Sequence, residues 1–439
     1  MSSTPSLAER QHAEDLIRYI DHSPSPWHVV ETTVQRLTAA GFEPLLEGDS
    51  WSLQPQKGYF VCRGGSSLVA FRTGSAKPEA AGFRIIGAHT DSPTLRLKPQ
   101  GGSRDQGLLR LGVEVYGSPI LASYADRDLF LAGRVSWSTP EGRIESRSVR
   151  LDRLRLRLPN LAIHLNRGVN EEGLKFNKQS ELPLILAQTF HEELAEAPLM
   201  RLLAETLKVD VASLFSLELQ VADAQPGAFW GAQEEFLSTG RLDNQSSCHA
   251  ALLALLNQRN GPATAVIALF DHEEVGSESA QGAGSVFLAQ VLSRVVGDIG
   301  EPLAKALAKS LMISADAAHA YHPNFPGVYE PLHAVQINQG VALKINVNQR
   351  YATDGPGAAY FRQLAAKLNR PIQTYVHRSD LGCGSTIGPI TAARLGIPVI
   401  DCGIPMWAMH SLRESAGVAD ALALTQLMTS FFEENGNAG

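Results

Sequence analysis

The sequence predicts an α/β fold, a mostly parallel sheet sandwiched by helices, with a β-rich domain inserted into it. Three observations carry this. After Asp243, helical and extended apolar patterns alternate along the chain, as they do where parallel strands are joined by covering helices. Near the start, the apolar run 83–87 leads directly into His89, Thr90 and Asp91, which reads as a strand delivering polar groups at its end. Between them, from residue 93 to 232, the texture changes to two-residue alternation, as in Leu154, Arg155, Leu156, Arg157, Leu158 and again in Leu217, Glu218, Leu219, Gln220, Val221. The expected organisation is a discontinuous α/β domain over residues 1–92 and 233–439, around a β-rich domain over 93–232.

The elements follow in order. Leu7, Ala13, Leu16, Ile17 and Ile20 recur at helical spacing, and Ser23, Pro24, Ser25 and Pro26 interrupt the pattern before a second helix that ends near Gly41. Short apolar runs at 59–61, 68–71 and 83–87 read as strands. In the second half, 250–256 and 303–311 read as helices, and 265–270, 312–314, 372–376 and 399–401 as strands. No internal repeat is apparent, and only the tail from Glu433 is of low complexity.

Composition bounds the function. A chain of 439 residues suggests two domains. Its 44% hydrophobic and 19% charged residues describe an ordinary globular protein. A formal net charge of -7 argues against a nucleic-acid surface, which needs clustered Lys and Arg. The four cysteines are widely separated and form no C-x-x-C pair, so a reducing, cytoplasmic setting is expected. Glu9, Arg10, Glu14, Asp15 and Arg18 exclude a signal-peptide core. The longest apolar stretch, 250–256, is far short of the roughly 20 residues that cross a bilayer, so no membrane association is expected.

Five sets of acids and imidazoles sit where expected strands end or helices begin: His89 with Asp91, Asp243, Glu273 with Glu274, Asp316, and His410. Open α/β sheets gather their sites at the carboxyl ends of strands, so these positions have a way to converge. Singly, each has an ordinary reading: a solvated pair for His89 and Asp91, a surface loop for the glutamates, a helix N-cap for Asp243, and surface or cap residues for Asp316 and His410. Jointly they supply imidazole nitrogens, carboxylates, one carboxylate able to bridge, and one left over as a base, which is what a pair of zinc-like ions requires.

In these residues the sequence resembles the aspartyl aminopeptidases, a branch of the dinuclear zinc aminopeptidases. The strings that carry the resemblance are Gly87-Ala88-His89-Thr90-Asp91-Ser92-Pro93, Arg241-Leu242-Asp243-Asn244, Asp271-His272-Glu273-Glu274-Val275-Gly276-Ser277, Ser314-Ala315-Asp316-Ala317-Ala318-His319-Ala320-Tyr321-His322-Pro323-Asn324, and Ala408-Met409-His410-Ser411. They occur in the family's order across nearly the whole chain.

The resemblance implies a zinc-peptidase-like fold and two divalent ions per subunit, Zn2+ with Co2+ or Mn2+ as alternatives. One ion would take His89, Asp243 and Asp316, and the other Asp243, Glu274 and His410. Asp91 would accept the second ring N–H of His89 and fix its tautomer, and Glu273 would be the general base. Lys344 and Tyr351, in 343–351, match substrate-binding positions, the lysine pairing with an acidic side chain at the substrate's N-terminus. His164 resembles a residue that reaches a neighbouring subunit's site, and His319 with His322 matches a histidine pair near the site. The segment 382–388 resembles a glycine-bearing loop by the substrate, or is a turn before a helix. Assembly through the inserted domain into a homododecamer built from dimers is implied in the same way. Two other readings stay open: a two-metal carboxypeptidase or amide deacylase, and a catalytically idle scaffold.

Overall fold

The computed structural model describes residues 4–189, 194–259 and 261–434, and these form two compact units. The first comprises residues 1–91, 227–409 and 414–439, and the second residues 92–226 and 410–413.

The first unit is built on a nine-stranded sheet. From one edge its strands are Glu43–Pro44, Gly58–Arg63, Ser67–Arg72, Thr264–Phe270, Phe83–His89, Leu311–Ala315, Val399–Gly403, Val341–Ile345 and Ile372–Val376. Five of the neighbouring pairs are parallel. The three antiparallel pairs lie outside the central block of Thr264–Phe270, Phe83–His89, Leu311–Ala315 and Val399–Gly403. Every residue of Thr264–Phe270 and Phe83–His89 is buried, as expected of parallel strands covered on both faces.

Successive side chains point to opposite faces of a strand, and the two cores show it. Ile86, Ile267, Leu269 and Ile313 pack into one cluster with the helices Leu7–His22, Pro26–Ala39, Leu242–Asn257, Gly355–Lys367 and Val418–Glu433. Ile85, Val266, Ala268, Phe270 and Met312 pack into another with Phe287–Val296 and Ile387–Leu395. A five-stranded sheet, Ala228–Trp230, Phe236–Thr239, Glu414–Gly417, Pro405–Trp407 and Ala318–His319, also belongs to this unit.

The second unit carries a six-stranded sheet of antiparallel pairs. Leu129, Leu131, Val135 and Trp137 of one strand face a core completed by Leu199, Leu203 and Leu207 of the helix Ala197–Leu207. The alternating segment 154–158 makes only isolated bridges, Leu129 with Leu156 and Arg157 with Ile185. The helix expected over 303–311 also needs correcting: it runs Glu301–Ala308, and Leu311 begins a strand. Leu311 continues the four-residue spacing of Leu303 and Leu307 past Lys309 and Ser310, so periodicity alone carried the helix too far. No helix among the described residues is long and apolar enough to cross a membrane.

Three helices of one face are tied by a part-buried polar knot. Asp15 accepts Arg36 Nη1 at 2.7 Å and Nη2 at 3.1 Å, and its Oδ2 lies 2.8 Å from His249 Nε2. Burial lowers the His249 pKa despite the neighbouring carboxylate, so a neutral imidazole donates this bond. Burial opposes the charge on Asp15 too, but the bonds from His249 and Arg36 outweigh it and hold the carboxyl well below the usual range. A depressed folded-state pKa gives stability that is present above the unfolded pKa of about 4 and is lost as pH falls through the folded value. Asp15→Asn is therefore expected to lower stability by about 1–3 kcal/mol at neutral pH, with the gap to the parent narrowing only below about pH 4. Urea unfolding of both proteins across this range checks it.

Candidate active site

The central strands bring distant side chains to one end of the sheet. Phe83–His89 and Thr264–Phe270 run parallel with His89 opposite Phe270, and Leu311–Ala315 runs parallel on the other side with Ser314 opposite Gly87. His89 therefore lies at a carboxyl end between Asp271, which opens the turn carrying Glu273 and Glu274, and Asp316. Asp243 enters from the start of the helix Leu242–Asn257, where its φ/ψ angles are non-helical and the Asp243–Asn244 peptide is cis. Arg241, just before the helix, is in a left-handed conformation.

His89 is the centre of the cluster. Its Nε2 lies 3.4 Å from Asp243 Oδ1, 3.8 Å from Asp316 Oδ1 and 3.9 Å from Glu273 Oε2. Its Nδ1 is 3.0 Å from the carbonyl oxygen of Asp91 and 3.4 Å from the Asp91 carboxylate, so the nearer acceptor is the backbone. The Asp91 carboxylate instead receives the N–H of Glu273 at 3.2 Å and of Glu274 at 3.1 Å. One residue thereby positions both the imidazole and the glutamate turn. The surrounding backbone is tied down in the same way. Asp243 N–H donates to Glu414 (3.1 Å), Asn244 Nδ2 to Ala315 O (2.7 Å), and Cys248 Sγ to His89 O (3.0 Å).

The electrostatics call for a positive charge. Burial pushes the Glu273 carboxyl up to about 8; the charges of Asp316, Asp91 and Asp243 add to the shift, and His89 opposes it. Glu274 is raised well above its ordinary range, by burial first and then by Asp243. Burial disfavours the charged form of His89, yet Glu273 and the bonds to Asp243, Asp316 and Asp91 outweigh it and raise its pKa well above normal. Nitrogen and carboxylate donors that attract a cation so strongly fit a divalent metal. Two groupings centred on His89, one with Asp243 and Asp316 and one with Glu273 and Glu274, have donor atoms within 4.8 Å of one another.

Of the other sequence-derived candidates, Lys344 is only 2% exposed. Its Nζ donates to the carbonyls of Asp316 (3.1 Å) and Ala317 (3.0 Å), lies 3.5 Å from Asp316 Oδ2, and sits 4.7 Å over the Tyr351 ring. It is a buried residue committed to the Asp316 segment, not the surface end of a strand. His319 is turned edge-on to Tyr375, with ring centres 5.9 Å apart. Burial, Lys344 and His377 push its pKa down to about 4, so it is neutral at ordinary pH. His322 accepts Asn324 N–H and stacks edge-on with Phe325. In the second unit, His164 is exposed, and His410, in a left-handed conformation, has its carbonyl bonded to Ile120 N–H (2.9 Å) and its Nδ1 3.1 Å from Ser118 O.

Glu414 and Asp401 escaped the sequence reading. Asp401 anchors the segment 382–388 by accepting Thr386 Oγ1 (2.6 Å), and it also accepts Ala352 N–H (2.6 Å). Thr386 caps the following helix through Gly388 N–H. Neither acid sits in a cluster of other chemistry-bearing residues, so the sequence carried no signal for them.

Residues 19–432 match the family model described as aminopeptidase I zinc metalloprotease (M18). A probable M18 family aminopeptidase 2 of Pseudomonas entomophila is 45% identical over 419 residues, covering 95% of this chain and 97% of that protein. The Pseudomonas aeruginosa protein described in the same words is 45% identical over 423 residues, with the same coverage. Among solved structures, the Ape4 and Nbr1 complex aligns with a TM-score of 0.93 at 37% identity, covering 97% of this chain and 86% of that one. The mApe1 dodecamer of S. cerevisiae aligns at 0.85 and 29%, covering 98% of each chain. Because the Asp91 carboxylate receives both amides of the glutamate turn and stands 3.4 Å from His89 Nδ1, Asp91→Ala is expected to weaken zinc retention by about 10- to 100-fold. Competition with a chromogenic chelator measures it.

Proposed function

The chain belongs to the M18 family of zinc metallo-aminopeptidases, and from that premise we propose that it removes Asp and Glu from the N-termini of peptides, using two divalent ions and Glu273 as general base. The observation that carries the reading is His89 Nε2 set among three carboxylates at 3.4 to 3.9 Å. His89, Asp243 and Asp316 would hold one ion, and Asp243, Glu274 and His410 the other. Such a cation pair supplies an acidified water and polarises the scissile carbonyl.

The rest of the chemistry belongs to side chains. Glu273, outside both ligand sets, takes the proton of the attacking water and returns it to the departing amine. The backbone bond from Glu273 to Asp91 keeps the base beside His89 without using its carboxylate. Lys344 places a fixed positive charge beneath Asp316, a field that favours an acidic first residue and disfavours Lys or Arg. Tyr351 and His319 line the same region, and the stacking of Lys344 on Tyr351 supports this. The exposed His164 would serve a neighbouring copy in a homododecamer built from dimers, an assembly of the kind named for the S. cerevisiae relative. Residues 1–92 with 233–439 form the catalytic domain and residues 93–232 the assembly domain in this reading, with the protein at work in the cytoplasm.

Zinc-loaded protein is expected to cleave aspartyl p-nitroanilide, and to spare N-acetyl-aspartyl p-nitroanilide and lysyl p-nitroanilide. The reverse preference for the acetylated substrate would identify a deacylase or carboxypeptidase instead. Glu273→Gln should lower kcat by about 10²- to 10⁴-fold with metal content unchanged by elemental analysis. Lys344→Ala should reduce kcat/KM more on aspartyl than on leucyl substrates; equal losses would remove the lysine from selectivity.

A further inference from the structure

The edge of the main sheet carries a polar pair that the proposed chemistry leaves without a task. Val341–Ile345 and Ile372–Val376 run parallel with Lys344 opposite Tyr375. These two strands run antiparallel to Val399–Gly403 and the central block, so His377 is placed near Lys344 by its side-chain contacts with Tyr375 and His319 and not by the end of its strand. Tyr375 is buried, and its hydroxyl lies 2.7 Å from His377 Nδ1. Burial pushes the Tyr375 pKa far up, so the phenol keeps its proton. Where the phenol donates to Nδ1, the imidazole carries its own proton on Nε2, and this is the tautomer assigned to His377. His377 Nε2 is itself buried and has no hydrogen-bond partner among the described residues. A buried donor held in orientation and left unsatisfied is costly in the free protein, and an oxygen from a ligand would relieve that cost.

His319 links the pair to the reacting centre. Its ring stands edge-on to Tyr375 at 5.9 Å and to His377 at 6.2 Å, while the charges of Lys344, Asp243 and Asp316 all act on it. Lys344 cannot by itself hold a substrate carboxylate at full strength. Two of its three N–H groups are spent on the carbonyls of Asp316 and Ala317, and the third has Asp316 Oδ2 at 3.5 Å. The lysine supplies field, and a directional donor has to come from elsewhere.

We infer that His377, oriented by Tyr375, is a specificity-determining residue whose Nε2–H donates to the terminal oxygen of the substrate's first side chain. This rests on the acidic-aminopeptidase reading given above. The test measures kcat/KM on aspartyl, glutamyl and leucyl p-nitroanilides for the zinc-loaded parent and for His377→Phe, His377→Gln and Tyr375→Phe. In His377→Phe the ratio of acidic to leucyl kcat/KM is expected to fall about 10- to 100-fold, more through KM than through kcat. His377→Gln, which keeps an N–H at similar reach, should recover part of it, and Tyr375→Phe should fall between.

A parent that prefers acidic residues, together with an unchanged ratio in His377→Phe, overturns this inference and leaves the proposed function standing. A parent with no acidic preference overturns both. If His377→Phe does not fold, Tyr375→Phe and His377→Gln decide: a reduced ratio in Tyr375→Phe supports the inference, and parental ratios in both overturn it.

Discussion

The constraint from which the rest follows is the burial of several carboxylates around one imidazole. Asp91, Asp243, Glu273, Glu274 and Asp316 come from four separate stretches of chain, and burial alone would drive such groups to protonate or to separate. The fold prevents separation by fixing the backbone beneath them. Asp91 holds two successive amides of the glutamate turn, Glu414 holds the amide of Asp243, and Lys344 clamps the carbonyls beside Asp316. What remains is to admit compensating positive charge, which is the donor set and the field that a metallopeptidase exploits.

The sheet makes this possible because parallel strands end together. His89, Asp271 and Asp316 each lie at or just past the carboxyl end of a central strand, and the alternation of Ile85 with Ile86 and of Val266 with Ile267 fills a core on either face. That architecture was legible in the sequence, since uninterrupted apolar runs such as 265–270 are characteristic of strands covered on both sides. Boundaries were less legible. Leu311, the first residue of the strand Leu311–Ala315, also fits the helical spacing of Leu303 and Leu307 in Glu301–Ala308, and the alternation at 154–158 is spent on single bridges at the margin of a sheet.

The candidate site divides along the same line. His89 with Asp91, and Glu273 with Glu274, stood out because acids and imidazoles adjacent in sequence need explaining. Asp243 and Asp316 stood out through the company of recognisable strings, and the structure brings both within 4 Å of His89 Nε2. Glu414, Asp401 and the Tyr375 and His377 pair could not be found in this way. Their meaning comes from partners far off in sequence: the amide of Asp243, the hydroxyl of Thr386, and the ring of His319. The depth of Lys344 was hidden for the same reason, since a strand lysine is ordinarily a surface residue and only the carbonyls of Asp316 and Ala317 make its burial tolerable.

Residues 410–413 pack with the second unit although the chain on either side of them belongs to the first. The carbonyl of His410 is received by Ile120, Leu412 joins the second unit's core, and the Leu412 amide donates to Ser123. Heredity is thereby restricted. A lineage that shed the inserted segment would strip the supports from a stretch encoded almost three hundred codons downstream of Ile120, so loss of the module in one genetic event would also alter the backbone at His410. Recombination can exchange the insertion only for another that offers an equivalent of Ile120 and Ser123, which turns an apparently portable cassette into a fixed part of the gene.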